Sequence, residues 1–536
     1  MVYDYDYIVI GSGFGGSVSA LRLTEKGYSV GVMEKGKRFQ PGDFPESNLQ
    51  LGKYLWMPRL RLHGILQITW LKHLMVLHGA GVGGGSLVYA MTHPVPPDVV
   101  FRDPRWPSDE DWKAKLKPHY ELAQYMLGTV KAPRVYAEEE MLRQVIDEES
   151  GAGPTIERHD VAAFFGEPGE TVPDPFFGGE GPERTGCTEC GACMSGCRYG
   201  AKNSLDHNYL HMAENRGCEV HPETEVTNVR PIHEGGYEVH TRSSTALFRK
   251  QHRIFRSRAV VFSASVLGTV QLMLQCKARG SLSNLSDQLG NYVRTNSEAL
   301  LGVRSRDPAA DHGRGIAITA GAHPDKNTHV EVVRFGKRQD FFALMYTLLT
   351  GAGEPWPRWA RWLGNTVCHP IEFLRTCRLR GFGQRSVGVA FMQTLDNYLK
   401  LRLRRRRWGS RLETQLLDGQ AVPTYMPLAN EIVRRLADKM NGTPESMLLE
   451  VLGDTSSTGH ILGGATMGRT PADGVCDEFG RVYGYENMYV CDGSLVPANL
   501  GVNPSLTITA LSEYVMHHVP AKEGADRRPA PRPQSR

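Results

Sequence analysis

Three groups of residues in this sequence have types and spacings suited to chemistry. The first is Gly11-Ser12-Gly13-Phe14-Gly15-Gly16, set between the apolar run at 7–10 and a helix-like stretch. A second apolar run at 28–33 follows and ends in Glu34. Strand, glycine turn, helix and acid-ended strand make a βαβ unit with a dinucleotide fingerprint. Gly11 permits the tight turn, Gly13 lets backbone approach a pyrophosphate, and Gly16 lets helix and strand pack closely. The unpaired amides and positive end of the helix then face phosphates, and Glu34 can accept hydrogen bonds from ribose hydroxyls. The second group is Cys187, Cys190, Cys193 and Cys197. Their C-x2-C-x2-C-x3-C spacing suits an Fe–S cluster or a four-thiolate zinc site. Arg198 stands where ferredoxins carry proline, and no second run accompanies this one, so a metal-free loop of thiols or a disulfide is the competing reading. In the third group, Asp492-Gly493 breaks an apolar strand. A loop with Asn499, Gly501 and Asn503 then runs into Pro504-Ser505 and a helix. A second helix N-terminus is thereby aimed out of a strand end, as a second ligand-facing site requires.

The elements around these groups read as follows. Residues 79–88, GAGVGGGSLV, place Gly83, Gly84 and Ser86 in backbone able to lie flat against a ligand. Short alternating or apolar segments between 220 and 265, which include Val226, predict strands, and the last leads into a helix. Further strands are predicted between 310 and 350. Residues 101–128 read as a helix anchored by Trp106 and Trp112, and the Pro- and Gly-rich 132–186 as long connections. Residues 53–77 mix large apolar and basic side chains. They read either as a half-buried surface segment or as a lid lined by Trp56, Leu60, Ile65, Trp70 and Leu74. The basic run at 401–409 reads as a solvated strand or loop, with contact to an anionic membrane surface as the sharper alternative. The Pro- and Arg-rich residues 521–536 read as a disordered tail.

The whole composition narrows the function classes. A chain of 536 residues is too long for one simple core, and its 40% hydrophobic content suits a globular protein. Lys and Arg number 62 against 58 Asp and Glu, which gives no electrostatic case for nucleic acid. No leader is read before the first strand, and no apolar stretch of about 20 residues reads as a membrane span. The expected location is therefore cytoplasmic.

Taken together, these blocks resemble the glucose–methanol–choline family of flavin oxidoreductases. GSGFGGSVSALRLTEKGYSVGVMEKG resembles its FAD-binding segment, GAGVGGGSLVYA its glycine-rich segment, and YVCDGSLVPANLGVNPSLTITALSE its closing segment. The block TGCTECGACMSGCRYGAKNSLDHNYL and the segment THVEVVRFG are similar to the steroid-oxidising branch of actinobacterial type. The resemblance implies an α/β (α+β overall) chain: a Rossmann-like FAD-binding domain with an interleaved substrate domain built on an antiparallel sheet. Residues 1–100, 200–300 and 456–520 are expected in the FAD-binding part. Residues 101–199, with the Cys-rich loop, and 301–455 are expected in the substrate part.

The resemblance also implies the chemistry. His460, in GHILGGA, matches the family histidine that orients the substrate hydroxyl and takes its proton. Asn503, in GVNP, matches the partner that contacts the flavin or the alkoxide. For the base of double-bond isomerisation, Asp340 falls at the expected place of a glutamate, and Glu331 is a nearby competitor. Tyr89 stands where the family carries an asparagine. The implied reaction is FAD-dependent oxidation of a 3β-hydroxysteroid such as cholesterol to the 3-ketone, with O2 as acceptor and isomerisation as a further step. Two alternatives stand beside it. One is a dehydrogenase of another bulky alcohol using a non-oxygen acceptor or an Fe–S centre. The other is a non-catalytic flavin-binding redox sensor.

Overall fold

The computed structural model describes residues 2–150, 156–247, 250–353, 355–406, 409–417 and 422–532. Two large sheets organise the chain. In the first, Glu219–His221, Val30–Met33, Tyr5–Ile10 and His252–Phe262 lie side by side in parallel. The far edge of His252–Phe262 is shared. Its C-terminal end pairs in parallel with Met488–Val490, and its N-terminal part pairs antiparallel with Tyr237–Ser243, which in turn pairs with Thr224–Pro231. All six residues of Tyr5–Ile10 are buried, as a parallel strand covered on both faces must be.

The first and last long helices of this unit, Phe14–Glu25 and Ser505–His517, pack together. Arg22 is buried between them. It donates to both carboxylate oxygens of Glu513 at 2.7 and 2.8 Å and to Glu25 at 2.8 Å. The Tyr209 hydroxyl donates to the same Glu513 at 2.6 Å.

The second sheet is antiparallel throughout. Its order is Tyr346–Leu348, Gly442–Met447, Ala299–Ser305, Ser386–Gln393, Thr328–Arg334, Ala320–Ala322 and Glu157–Arg158. The two-residue period of a strand divides its side chains between two faces. Leu301, Val303, Val330, Val332, Val387 and Phe391 pack under the helices Ala137–Ser150 and Pro427–Lys439. The alternate residues, Leu300, Glu331, Val333, Gly388 and Ala390, face a cavity instead.

Several sequence expectations are revised here. The connection expected over 132–186 contains the helix Ala137–Ser150, whose Leu142, Val145 and Ile146 are buried. Residues 53–77 divide between surface and core, with Leu60 and Trp70 exposed and Tyr54, Leu66 and Leu77 lining the cavity. Trp56, Ile65 and Leu74 are buried, and Leu66–Trp70 pairs with Leu74–Gly79, which pairs in turn with Ser456–Thr458. The segment thus supports the strand that leads to His460. The basic run lies largely in Leu399–Arg406, where Leu399 and Leu401 are buried while Arg402 and Arg404 pair with Glu413; residues 407 and 408 lie outside the described residues. The tail expected to be disordered has contacts as far as Ala530. Lys522 pairs with Asp6 at 2.6 Å, and the Ala530 amide donates to Glu25 at 2.5 Å.

Candidate active site

One cavity of about 440 Å³ runs between the two sheets. Its first end is lined by Gly11, Ser12, Gly13, Phe14, Gly15, Glu34, Gly84, Gly85 and Val226. A Cβ built on Gly13 meets nothing within 4 Å, so this backbone borders open space. At Gly15 a Cβ would fall 1.6 Å from the Cys491 carbonyl oxygen, and at Gly16 it would fall 2.0 Å from that of Gly11. Gly13 is therefore the position kept bare for a ligand, while Gly15 and Gly16 serve packing. The helix Phe14–Glu25 begins with no side-chain cap and no acidic residue in its first turn. Its free amides suit a pyrophosphate. Glu34 accepts from the Ser12 amide and hydroxyl at 3.1 and 2.7 Å and from the Gly36 amide at 2.7 Å, which fixes its carboxylate at the rim.

The middle of the cavity is closed by the second uncapped helix, with Pro504 and Ser505 at its start and Asp492 and Gly493 beside it. Asp492 accepts from the Ser494 amide at 2.9 Å and from the Thr269 hydroxyl at 2.6 Å. Burial pushes its carboxyl above the usual value.

His460 and Asn503 both line this region. Two loops distant in sequence carry them, and a third segment ties the loops together. Arg294 and Leu462 exchange backbone hydrogen bonds, and Asn296 donates to the Val502 carbonyl at 2.8 Å while accepting from the Gly501 amide at 2.7 Å. That segment delivers Glu298, which the sequence reading missed because no motif surrounds it. Glu298 is buried. It accepts from the Thr458 hydroxyl at 2.7 Å and the Gly459 amide at 2.9 Å, and its Oε2 stands 3.4 Å from His460 Nδ1. A carboxylate thus stands on the Nδ1 side of the imidazole.

Asn503 Nδ2 donates to Glu331 Oε2 at 3.2 Å. The other oxygen of Glu331 has His329 Nε2 at 3.1 Å and His159 Nε2 at 2.9 Å. Gly321 leaves the room for both rings, since a Cβ there would lie 2.5 and 2.6 Å from them. Burial alone would raise the Glu331 carboxyl, but the two imidazoles more than reverse this and hold it below the usual carboxylate range. His329 Nδ1 meets His323 Nε2 at 3.2 Å, so ring nitrogens lead from exposed His323 to the cavity. Beyond these groups the cavity wall turns apolar, with Leu300, Ile318, Val333, Phe335, Phe342, Met345 and Met447.

The fold has a solved counterpart. Pyridoxine 4-oxidase from Mesorbium loti superposes with a TM-score of 0.60 over 96% of this chain and 99% of that one, at 14% identity. Family profiles of GMC oxidoreductase match residues 182–288 and 400–512, and an FAD binding domain matches residues 6–41. The chain is 42% identical to a cholesterol oxidase of Acinetobacter baumannii over 97% of this chain and 95% of that one. It is 43% identical to a cholesterol oxidase of Mycobacterium tuberculosis over 98% of this chain and 93% of that one. The chain belongs to the GMC oxidoreductase family. As a GMC oxidoreductase it is an FAD-dependent enzyme acting on alcohols, and its glycine-bordered cavity end and two uncapped helix starts fit that cofactor.

Some residues expected at the site of this GMC oxidoreductase lie elsewhere. Asp340 does not line the cavity. It accepts from the Gly383 amide at 3.0 Å and the Gly381 amide at 3.3 Å, so its carboxylate closes a turn. Glu331 occupies the cavity position instead. Ser86 is fully buried and holds its own loop, donating to the Gly83 carbonyl at 2.7 Å and accepting from the Leu205 amide at 3.0 Å. Cys187, Cys190, Cys193 and Cys197 are free thiols around one small separate cavity. Among the described residues, no three thiol sulfurs come within 4.8 Å of one another. A tetrahedral zinc ion with bonds of about 2.3 Å would draw them closer than that, so the expected zinc alternative does not fit.

Proposed function

We propose that this GMC oxidoreductase oxidises a 3β-hydroxysteroid such as cholesterol to the 3-ketone, with O2 as acceptor. The observation that carries the reading is the join within one cavity: a cofactor cradle meets an apolar chamber at His460, Glu298, Asn503 and Glu331. Gly11, Gly13, Glu34 and the helix start at Ser505 would hold FAD, which would supply the acceptor for the carbon-bound hydride and the route of the electron pair to O2. His460 keeps Nδ1 toward Glu298, which leaves Nε2 to take the hydroxyl proton. Glu298 favours the imidazolium that results. Asn503 can turn its amide from Glu331 to the developing carbonyl oxygen, where a donor is needed. Glu331, rather than Asp340, is the carboxylate placed to move a ring proton in a subsequent double-bond isomerisation. A bilayer contact suits a substrate that barely dissolves. The free thiols of all ten cysteines suit a reducing, cytoplasmic setting, and among the described residues no helix is long and apolar enough to cross a membrane.

The test is peroxide release from the purified protein across cholesterol, other 3β-hydroxysteroids, long-chain alcohols, glucose and choline. Sterol turnover far above the others is expected. Turnover confined to a small polar alcohol would refute the reading.

One observation favours a second reading. Met91 lines both the main cavity and the small cavity ringed by the four cysteines. An Fe–S centre there would adjoin the flavin and make the protein a dehydrogenase with a non-oxygen acceptor. Iron and acid-labile sulfide in anaerobically purified protein decide between the readings.

A further inference from the structure

Residues 354–385 contain six arginines and two glutamates, a net charge of +4 that equals that of the entire chain. Within this stretch, the helices Arg358–Cys368 and Pro370–Thr376 follow one another on the outside of the second sheet. Their inner side is anchored. Arg358 donates to the carbonyls of Thr350 and Glu450, each at 3.2 Å, and Trp362 Nε1 donates to the Thr347 hydroxyl at 2.8 Å. Trp362 and Phe373 meet edge to face, with ring centres 5.8 Å apart, which joins the two helices.

The outer side is apolar and bare. Trp359, Leu363 and Val367 follow the four-residue spacing of one helix face, and Trp356, Ile371 and Leu374 extend the ridge. Their exposures run from 51% to 72%. A soluble surface seldom leaves six such side chains contiguous without a partner. Arg378 and Arg380 are exposed immediately beyond the second helix. The ridge sits over the cavity wall: its anchor Thr347 is flanked by Tyr346 and Met345, which line the chamber.

From this we propose that the ridge docks the protein on an anionic phospholipid bilayer. Tryptophan, leucine and valine insert to the depth of the headgroup boundary while arginines meet lipid phosphates. The exposed Arg378 and Arg380 beside the ridge favour an anionic bilayer over a neutral apolar partner. The proposal deepens the sterol reading by naming the phase from which substrate enters, yet each can fail without the other.

The experiment uses FAD-loaded protein and sedimentation with vesicles of phosphatidylcholine alone or with one-third phosphatidylglycerol. Binding to the anionic vesicles at least about tenfold tighter is expected, weakened by salt. The double variant Leu363→Glu/Val367→Glu should lose it while keeping its thermal midpoint and its turnover of detergent-dispersed substrate. Quenching of native tryptophan emission by brominated lipid gives an independent reading without any variant. Equal sedimentation of native and variant protein, or native protein that ignores vesicles and instead dimerises through the ridge, would overturn the proposal. Vesicle binding without turnover of any sterol would refute the substrate reading alone.

Discussion

The Nδ1 of His460 stands 3.4 Å from Glu298 Oε2, and that carboxylate also holds Thr458 and Gly459, the two residues before the histidine. One buried acid therefore holds the backbone that carries the histidine and stands beside its ring. A histidine so held keeps one nitrogen aimed at the substrate and gains a counter-charge when it is protonated.

Replacing His460 with alanine should lower turnover about 10²–10⁴-fold, the usual contribution of a positioned base. Glu298→Gln should lower it by a smaller factor, up to about 10²-fold on the same scale. Both variants should retain FAD. Anaerobic bleaching of the flavin by substrate, followed by stopped flow, measures the step directly. An unchanged rate of flavin reduction in Glu298→Gln would remove Glu298 from the mechanism.

Gly13→Ala and Gly15→Ala separate ligand approach from packing. The first adds a methyl group where the protein has open space, so the thermal midpoint of the FAD-free protein should stay put while FAD affinity falls. The second drives Cβ into the Cys491 carbonyl, so the FAD-free protein itself should lose at least about 1–3 kcal/mol, the range of an overpacked core. Denaturation curves with and without FAD distinguish the two.

Asp340→Asn and Glu331→Gln should part company in the product. Asp340→Asn weakens a carboxylate that accepts from two amides and should cost about 1–3 kcal/mol of stability. It should still yield whatever conjugated ketone the native enzyme makes. Glu331→Gln should leave oxidation running and stop the product at the unconjugated ketone, as read from ultraviolet absorbance.

Glu331 also predicts an acid dependence. Its folded-state carboxyl titrates below its ordinary value of 4.5 because of His159 and His329, despite burial. A depressed carboxyl contributes stability that is complete above the unfolded value and is lost as pH falls from there toward the folded one. The gap in thermal midpoint between native protein and Glu331→Gln should narrow as pH falls below about 4.5. A gap that does not change with pH would mean that the imidazoles are not holding the charge.

The sequence revealed the local parts of this site and concealed the assembled ones. Gly11 to Gly16 and Glu34 are legible because fingerprint, strand and helix are contiguous, so short-range geometry determines their roles. Glu331 and Asp340 are nine residues apart in a stretch where both have apolar neighbours. Only the register of Thr328–Arg334 against Ser386–Gln393 shows which one faces the cavity. Glu298 and His159 carry no motif and reach the site through pairings more than 150 residues long, which no local pattern encodes, whereas His329 stands two residues before Glu331 on the same strand. The helix Ala137–Ser150 was hidden by its Pro- and Gly-rich flanks, although its own buried Leu142, Val145 and Ile146 follow helical spacing.

The clasp of Arg22 by Glu513 bears on how the protein is made. Translation delivers the arginine nearly five hundred residues before its partner. During that interval the nascent chain holds a guanidinium destined for burial with only Glu25 to offset it, and an uncompensated buried charge costs about 3–5 kcal/mol. Strand Met488–Val490 and the helix start at Ser505 arrive in the same late window. Until the helix Ser505–His517 has been made, Arg22 lacks its main counter-charge, so cofactor loading is expected to follow synthesis of that helix. A stop before the helix Ser505–His517 would remove Ser505 from the cavity and leave Arg22 without Glu513, while the Gly11–Gly16 turn would still be encoded.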